Sequence, residues 1–248
     1  MPTDLPVIHH DAQLLAVHKP AGLLVHRSAL DAHADDDAVT RLRAQLGAPV
    51  WPVHRLDKGT SGVLLLALDA DSARLLGAMF AGTTGDRDDR IRPDKRYLAL
   101  VRGWPAAEGE IDQPLARDPE LPSAGQPRLA ACTRWQLLQR LQLPITTDGR
   151  HADTRLALVA VQPLTGRRHQ IRRHFKALAH PLIGDATHGK GPLNRAVAAQ
   201  LGLQRLWLHA LSLTLPHPAT GQALTLRAEP GPEWAALAAW ADQPKRSA

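Results

Sequence analysis

The stretch His54-Arg55-Leu56-Asp57-Lys58-Gly59-Thr60-Ser61-Gly62-Val63-Leu64-Leu65-Leu66-Ala67 constrains this chain more than any other. Its second half is an unbroken apolar run that reads as a buried strand. Its first half is a charged turn, in which Gly59 and Gly62 permit backbone angles that a side chain forbids, and Thr60 and Ser61 satisfy loop backbone groups locally. Asp57 thus lies between apolar segments, where desolvation disfavours a carboxylate unless a cation or hydrogen-bond donors compensate. Arg55 is one cation near enough in sequence to do so.

At 248 residues the chain is long enough for a full hydrophobic core without covalent staples. One cysteine, Cys132, excludes an internal disulfide and leaves no cysteine cluster for zinc. Met1 to His10 lacks a basic region followed by an apolar run, and no segment approaches the roughly 20 apolar residues that span a bilayer. A soluble, cytoplasmic protein is expected. Thirty Lys and Arg against twenty-four Asp and Glu leave a net charge of +6, which suits a polyanionic partner.

The chain alternates short apolar runs with turn signals. A hairpin is expected at Leu14-Val17 and Leu23-Val25, punctuated by Lys19-Pro20-Ala21-Gly22. Asp37 and Gly47 bracket a first helix, and Asp69 or Asp71 caps a second with apolar positions at Ala73, Leu75, Leu76, Met79 and Phe80. Gly82 to Asp94 reads as an exposed loop, Lys95 to Val101 as a strand closed by Gly103, and Asp118 to Arg128 as a Pro-rich loop. Strands are expected at Cys132-Leu138 and Leu156-Gln162, with a turn signal at Asp148-Gly149 between them. A basic helix follows from Arg167 to Lys176, then a short helix near Asn194-Leu201. Leu206-Ala210, Leu211-Leu215 and Ala223-Arg227 read as strands, and Glu233-Ala241 as a last helix behind Pro232. Many strands at short spacing without regular strand–helix alternation predict an α+β protein with a mostly antiparallel sheet.

His54 to Ala67, Lys95 to Gly103, and Gly166-Arg167-Arg168-His169-Gln170-Ile171-Arg172-Arg173-His174 resemble, in this order, three motifs of the RluA family of pseudouridine synthases. The resemblance implies a bipartite mixed sheet with a central catalytic cleft, formed by residues 1–248 as one two-lobed domain without a separate N-terminal RNA-binding domain. It implies that Asp57 carries the chemistry, that Tyr97 contacts the target base, that Arg172 pairs with Asp57, and that Arg55 takes the space of a flipped nucleotide. His54, Lys95, Arg168 and Arg173 are expected to face the RNA. Each role has a physical basis. A uridine in folded RNA must be extruded before its base can be reached, a tyrosine face supports it by stacking, and an Arg keeps a desolvated Asp ionised. At about 100° per residue, Arg172 falls at the edge of the Ile171, Phe175 and Leu178 stripe, whereas Arg173 points further round toward solvent or phosphate.

The implied reaction detaches uracil at N1, rotates it and rejoins it through C5, with no metal or other cofactor. Leu24 to Asp31, Ile183 to Gly189 and Leu203 to Ala210 are similar to the branch that modifies uridine 65 of tRNA. The partner is therefore expected to be tRNA, with 23S ribosomal RNA as the alternative, and the protein to act as a monomer away from membranes. Donors for the negatively charged detached uracil are expected near Leu208-His209-Ala210. Other chemistries fit less well. Gly189-Lys190-Gly191 lacks the spacing of a phosphate loop, Ser61 is in no nucleophile elbow, and no His pair of the basic helix faces one ligand. A glycoside hydrolase needs a second carboxylate, for which Asp31 or Asp185 is the candidate. A non-catalytic RNA-binding module has no use for Asp57, Tyr97 and Arg172 together.

Overall fold

A computed structural model describes residues 3–27, 36–82, 92–146 and 151–238. Most of the loop expected between Gly82 and Asp94 lies outside these residues, as do Asp31, the Asp148-Gly149 turn signal and the end of the last helix. In chain order the described elements begin with β1 (Val7–His10), β2 (Leu14–Lys19), α1 (Ala38–Leu46), β3 (Trp51–Pro52), β4 (Ser61–Ala67) and α2 (Ala70–Ala81). They continue with β5 (Asp94–Arg102), β6 (Glu108–Asp112), β7 (Leu115–Ala116), β8 (Arg128–Leu129), β9 (Cys132–Leu143) and β10 (Thr154–Pro163). Last come α3 (Gln170–Ala177), α4 (Gly191–Leu201), β11 (Leu208–Pro216), β12 (Ala223–Arg227) and α5 (Pro232–Ala238). Every strand pair with a resolved register is antiparallel, so the α+β expectation holds. None of the described helices is long and apolar enough to cross a membrane.

The chain divides into two compact units, Met1–Lys95 with Ala210–Glu229, and Arg96–His209 with Pro230–Ala248. In the first, β4 lies between β2 and β11, and every residue of β4 is buried. That explains why its sequence shows no polar alternation. Leu14, Ala16, Val63, Leu65, Leu213 and Leu215 form one face of this sheet, and Leu76 of α2 seals it. Asp69 caps α2 by accepting the Ser72 N–H at 2.8 Å, and Asp37 caps α1 through the Thr40 N–H at 2.9 Å. Both satisfy helix-end donors that have no partner within the helix.

The expected Leu14–Val25 hairpin is corrected. The antiparallel neighbour that precedes β2 is β1, and beyond the turn Leu23-Val25 forms no strand, only an isolated bridge from Leu24 to Asp37. The cause is the turn itself. Gly22 donates its N–H to the Lys58 carbonyl at 2.8 Å, and the buried Lys19 ammonium reaches the Leu23 carbonyl at 2.7 Å. Those bonds tie the segment to other loops rather than to a ladder.

The second unit has strand order β5-β10-β9-β6, with helices on both faces. The period of two divides its strands cleanly. Ala99, Val101, Ala157, Val159 and Val161 pack with Ile171 and Phe175 of α3, while Leu100, Leu141, Leu143 and Leu156 pack with Leu193 and Val197 of α4 and Trp234 of α5. β9 runs to Leu143, beyond the expected Leu138, and the strands expected separately at Leu206-Ala210 and Leu211-Leu215 are one strand, β11. The helix expected from Arg167 begins at Gln170, because His169 takes a left-handed backbone angle of φ 54°. A residue with a Cβ rarely adopts that conformation, and it ends helical continuity there.

Candidate active site

In the first unit, Asp57 occupies the first position of a turn closed by the Thr60 N–H bonding to the Asp57 carbonyl at 2.9 Å. The next carbonyl, that of Lys58, accepts the Gly22 N–H and the Lys19 ammonium, the latter at 3.2 Å. Lys19 has no exposed surface and also donates to the Pro20 carbonyl at 2.9 Å. A buried ammonium is tolerated only with its donors satisfied, and here backbone carbonyls satisfy them while joining two loops. The Asp57 turn is therefore fixed from beneath by a cation that sequence alone places within a hairpin.

Beyond the turn, close backbone contact fixes the chain. Gly62 has φ 113°, and a Cβ placed on it would lie 2.1 Å from the carbonyl oxygen of Ala210. Only glycine lets the two backbones approach so closely. The start of β4 and Ala210 are thereby set against each other. Asp57 is half-buried, and Arg55 is exposed without a hydrogen-bond or ion-pair partner among the described residues.

His54, just before the turn, is anchored to α2 and β4. Its ring stacks on Phe80 at 4.7 Å between centroids, and its Nε2 accepts the N–H of Leu65 at 3.0 Å. An acceptor nitrogen carries no proton, so the ring is neutral with its hydrogen on Nδ1. Burial, with the Lys95 cation adding to it, pushes the His54 pKa down to about 3. His54, expected at the RNA, is thus bound into the scaffold of β4 and α2.

The second unit holds the other motif residues. Tyr97 on β5 lies opposite Val161 and packs half-buried on the cluster containing Ala99 and Phe175. Gln170, at the start of α3, is buried and donates to the Cys132 carbonyl and the Thr133 hydroxyl, both at 2.9 Å, while its Oε1 accepts the Thr165 hydroxyl and the Arg167 N–H. One amide side chain thereby seats the helix on β9.

Arg172 comes two residues later and is buried. Its Nε and Nη2 donate to the two oxygens of Asp185 at 2.7 and 2.8 Å. Asp185 also accepts the N–H groups of Thr187 and His188, each at 2.9 Å. Burial alone raises a carboxyl pKa, yet these hydrogen bonds and the Arg172 charge outweigh it and hold Asp185 below its usual range. A glycosidase acid must carry a proton near neutrality, so Asp185 is unsuited to that role. Sequence reasoning reaches Asp185 only as that second carboxylate. Its pairing with Arg172 is invisible there because nothing local links positions 13 apart in a helix and a loop.

Arg173, expected to face solvent, instead donates Nη1 to the Ala116 carbonyl of β7 at 2.9 Å. Arg168 pairs with Asp118, at 3.4 Å, and with Glu120. His169 sets its Nδ1 3.2 Å from Nε2 of His188, whose pKa burial brings down to about 4. Leu208-His209-Ala210, expected as a source of donors, lies within β11.

The three motifs lie within a longer match, in which a family model described as RNA pseudouridylate synthase covers residues 13–177. The chain belongs to the RNA pseudouridylate synthase family. As a member it isomerises uridine to pseudouridine in RNA. It is 42% identical over 238 residues to tRNA pseudouridine synthase C of Haemophilus ducreyi, covering 94% of each chain. A protein of the same name from Vibrio cholerae is 41% identical over 238 residues, again covering 94% of both. Among solved structures, human RNA Pseudouridylate Synthase Domain Containing 1 superposes with a TM-score of 0.68 at 25% identity, covering 97% of this chain and 91% of that one. Within the synthase, Lys19 and Gln170 are supporting residues that sequence reasoning missed, and Asp185 is one whose supporting role it missed. Only Gln170 lies inside a recognised motif.

Proposed function

We propose that this synthase works as a cytoplasmic monomer on tRNA, isomerising uridine 65, within one catalytic domain that spans the chain. The observation that carries the substrate is the likeness to tRNA pseudouridine synthase C proteins over 94% of both chains. The position rests on Leu24 to Asp31, Ile183 to Gly189 and Leu203 to Ala210, which are similar to the branch acting at uridine 65.

In this proposal Asp57 acts at the glycosidic bond. The N1–C1′ bond breaks, the uracil turns over, and a C5–C1′ bond forms as C5 loses its proton and N1 gains one. Atoms and electrons balance without an added reactant. Tyr97 supports the extruded base by stacking, worth about 1–3 kcal/mol. Arg55 enters the space that the uridine leaves. The dense bonding beneath the Asp57 turn supports these roles, since a reacting carboxylate must be held in place while its substrate is flipped.

The test incubates the purified protein with unmodified total tRNA and ribosomal RNA and maps pseudouridine at single-nucleotide resolution. Modification at uridine 65 of tRNA is expected. Modification confined to ribosomal RNA overturns the substrate, and modification of neither overturns the proposal. Asp57→Asn should abolish turnover while RNA binding persists.

A further inference from the structure

Three arginines of the second unit are held by backbone carbonyls around the small ribbon of β7 and β8. Arg128 donates Nε and Nη2 to the Pro114 carbonyl at 3.2 and 2.7 Å. Arg167 donates Nε to the Ala130 carbonyl at 3.0 Å, and Arg173 donates Nη1 to the Ala116 carbonyl at 2.9 Å. Leu115 pairs with Leu129 and Ala116 with Arg128, so all three acceptors belong to one ribbon or its immediate ends.

The choice of acceptor matters. A carbonyl orients a guanidinium without cancelling its charge, and each guanidinium has five donors in a fixed fork, most of which remain for a ligand. Among the described residues, none of the three has a carboxylate partner, in contrast to Arg134 with Glu110 or Arg168 with Asp118 and Glu120. Arg128 and Arg167 are exposed, and Arg173 is half-exposed. Burial and the neighbouring Arg128 charge together lower the Arg173 pKa, so the two cations stand close enough to repel. Like charges fixed side by side at a surface favour a polyanion that relieves the repulsion.

We infer that Arg128, Arg167 and Arg173, positioned by the carbonyls of Pro114, Ala116 and Ala130, form a docking surface for the phosphodiester backbone of RNA. The surface deepens the reading of this chain as a tRNA-modifying enzyme and rests on it for the identity of the RNA. It contacts phosphates and sets register; it reads no bases. The Pro-rich loop between the two ribbon strands pairs with Arg168 through Asp118 and Glu120.

Each phosphate contact that is lost should lower the slope of log affinity against log salt by about 0.7 to 0.9. The experiment measures binding of unmodified tRNA and of a polyuridine strand across a salt series, using the full chain and Arg128→Gln, Arg167→Gln and Arg173→Gln, singly and combined. Expected are a severalfold weaker affinity for each single variant and a slope reduced by about 2 in the triple variant. Arg134→Gln, whose cation is already paired, should leave the slope unchanged. An unaltered slope in the triple variant overturns the inference. If Arg173→Gln impairs folding, shown by circular dichroism, the double variant at the exposed Arg128 and Arg167 must still lower the slope by more than 1, or the inference fails. Because binding is read without turnover, a protein that binds through these arginines yet leaves uridine 65 unmodified refutes the proposed position, not this surface.

Discussion

Asp185 holds the Arg172 guanidinium with both carboxylate oxygens, at 2.7 and 2.8 Å, in a part of the second unit where the carboxylate has no exposed side-chain surface. A buried ion pair of this kind contributes little net stability as a pair, but loss of one partner leaves the other charge stranded. Asp185→Asn should therefore destabilise the protein by about 3–5 kcal/mol in urea unfolding at neutral pH. Arg172→Met with Asp185→Asn together should cost less than the sum of the two single changes.

The same pair sets part of the acid limb. Because the folded carboxyl of Asp185 is held below its ordinary value of 3.8, the unfolded chain takes up the proton first as pH falls. Its contribution is complete above about pH 4 and disappears as pH drops through the folded value. Unfolding curves of wild type and Asp185→Asn should converge below that pH. A constant difference down to strong acid would show that the pair is not what the substitution removes.

His54 acts in the opposite sense of protonation but with the same sign. Folded, it stays neutral until about pH 3, whereas unfolded it titrates near its model value of 6.5. Between these limits the unfolded state binds the extra proton, so stability rises with pH by at most about 1.4 kcal/mol per pH unit from this residue and is flat above 6.5. In His54→Gln, whose side-chain oxygen can still accept the Leu65 N–H, that increment should vanish from the slope between pH 4 and 6. An NMR titration should find the His54 ring neutral at pH 5. A protonated ring at that pH would return His54 to the RNA-facing role that its position beside Arg55 implies.

The difference between what was legible and what was not comes from the range of the interactions. Asp37 and Asp69 announce their helices because capping is settled within three residues, and β4 announces itself because burial of every side chain leaves an apolar run. Tyr97, Asp57 and Arg172 are legible as motif members. The β1 strand was missed because Val7-Ile8-His9-His10 is short and shows neither apolar continuity nor alternation. The tie from Lys19 to the Asp57 turn and the pairing of Asp185 with Arg172 were missed for a different reason, since those partners lie 39 and 13 residues away and no local pattern requires them. Arg173 looks solvent-directed from helical geometry alone because the β7 carbonyl that receives it comes from a distant segment.

Gly62 gives a steric prediction. Alanine there would need a φ of 113° and would place its Cβ 2.1 Å from the Ala210 oxygen. Strain at the backbone and forced separation of β4 from Ala210 should together cost about 2–5 kcal/mol. Gly62→Ala should accumulate poorly and melt well below wild type. Equal melting temperatures for wild type and Gly62→Ala would show that the turn yields without cost.

Lys19 separates positioning from chemistry. Its ammonium bonds the carbonyls of Pro20, Leu23 and Lys58, and the last of these adjoins Asp57 in the turn. Lys19→Met keeps the length and apolar stem but leaves these carbonyls without that donor, each a cost of about 1–3 kcal/mol where no water replaces it. The turn should then lose its fixed geometry, and a displacement near 1 Å at a reacting group can lower the rate about a hundredfold. The expected result is a fall in kcat of tenfold or more with the Kd for tRNA nearly unchanged, because the ammonium lies beneath the turn and has no exposed surface. A variant with normal kcat and weakened tRNA binding would place Lys19 at the RNA instead of under Asp57.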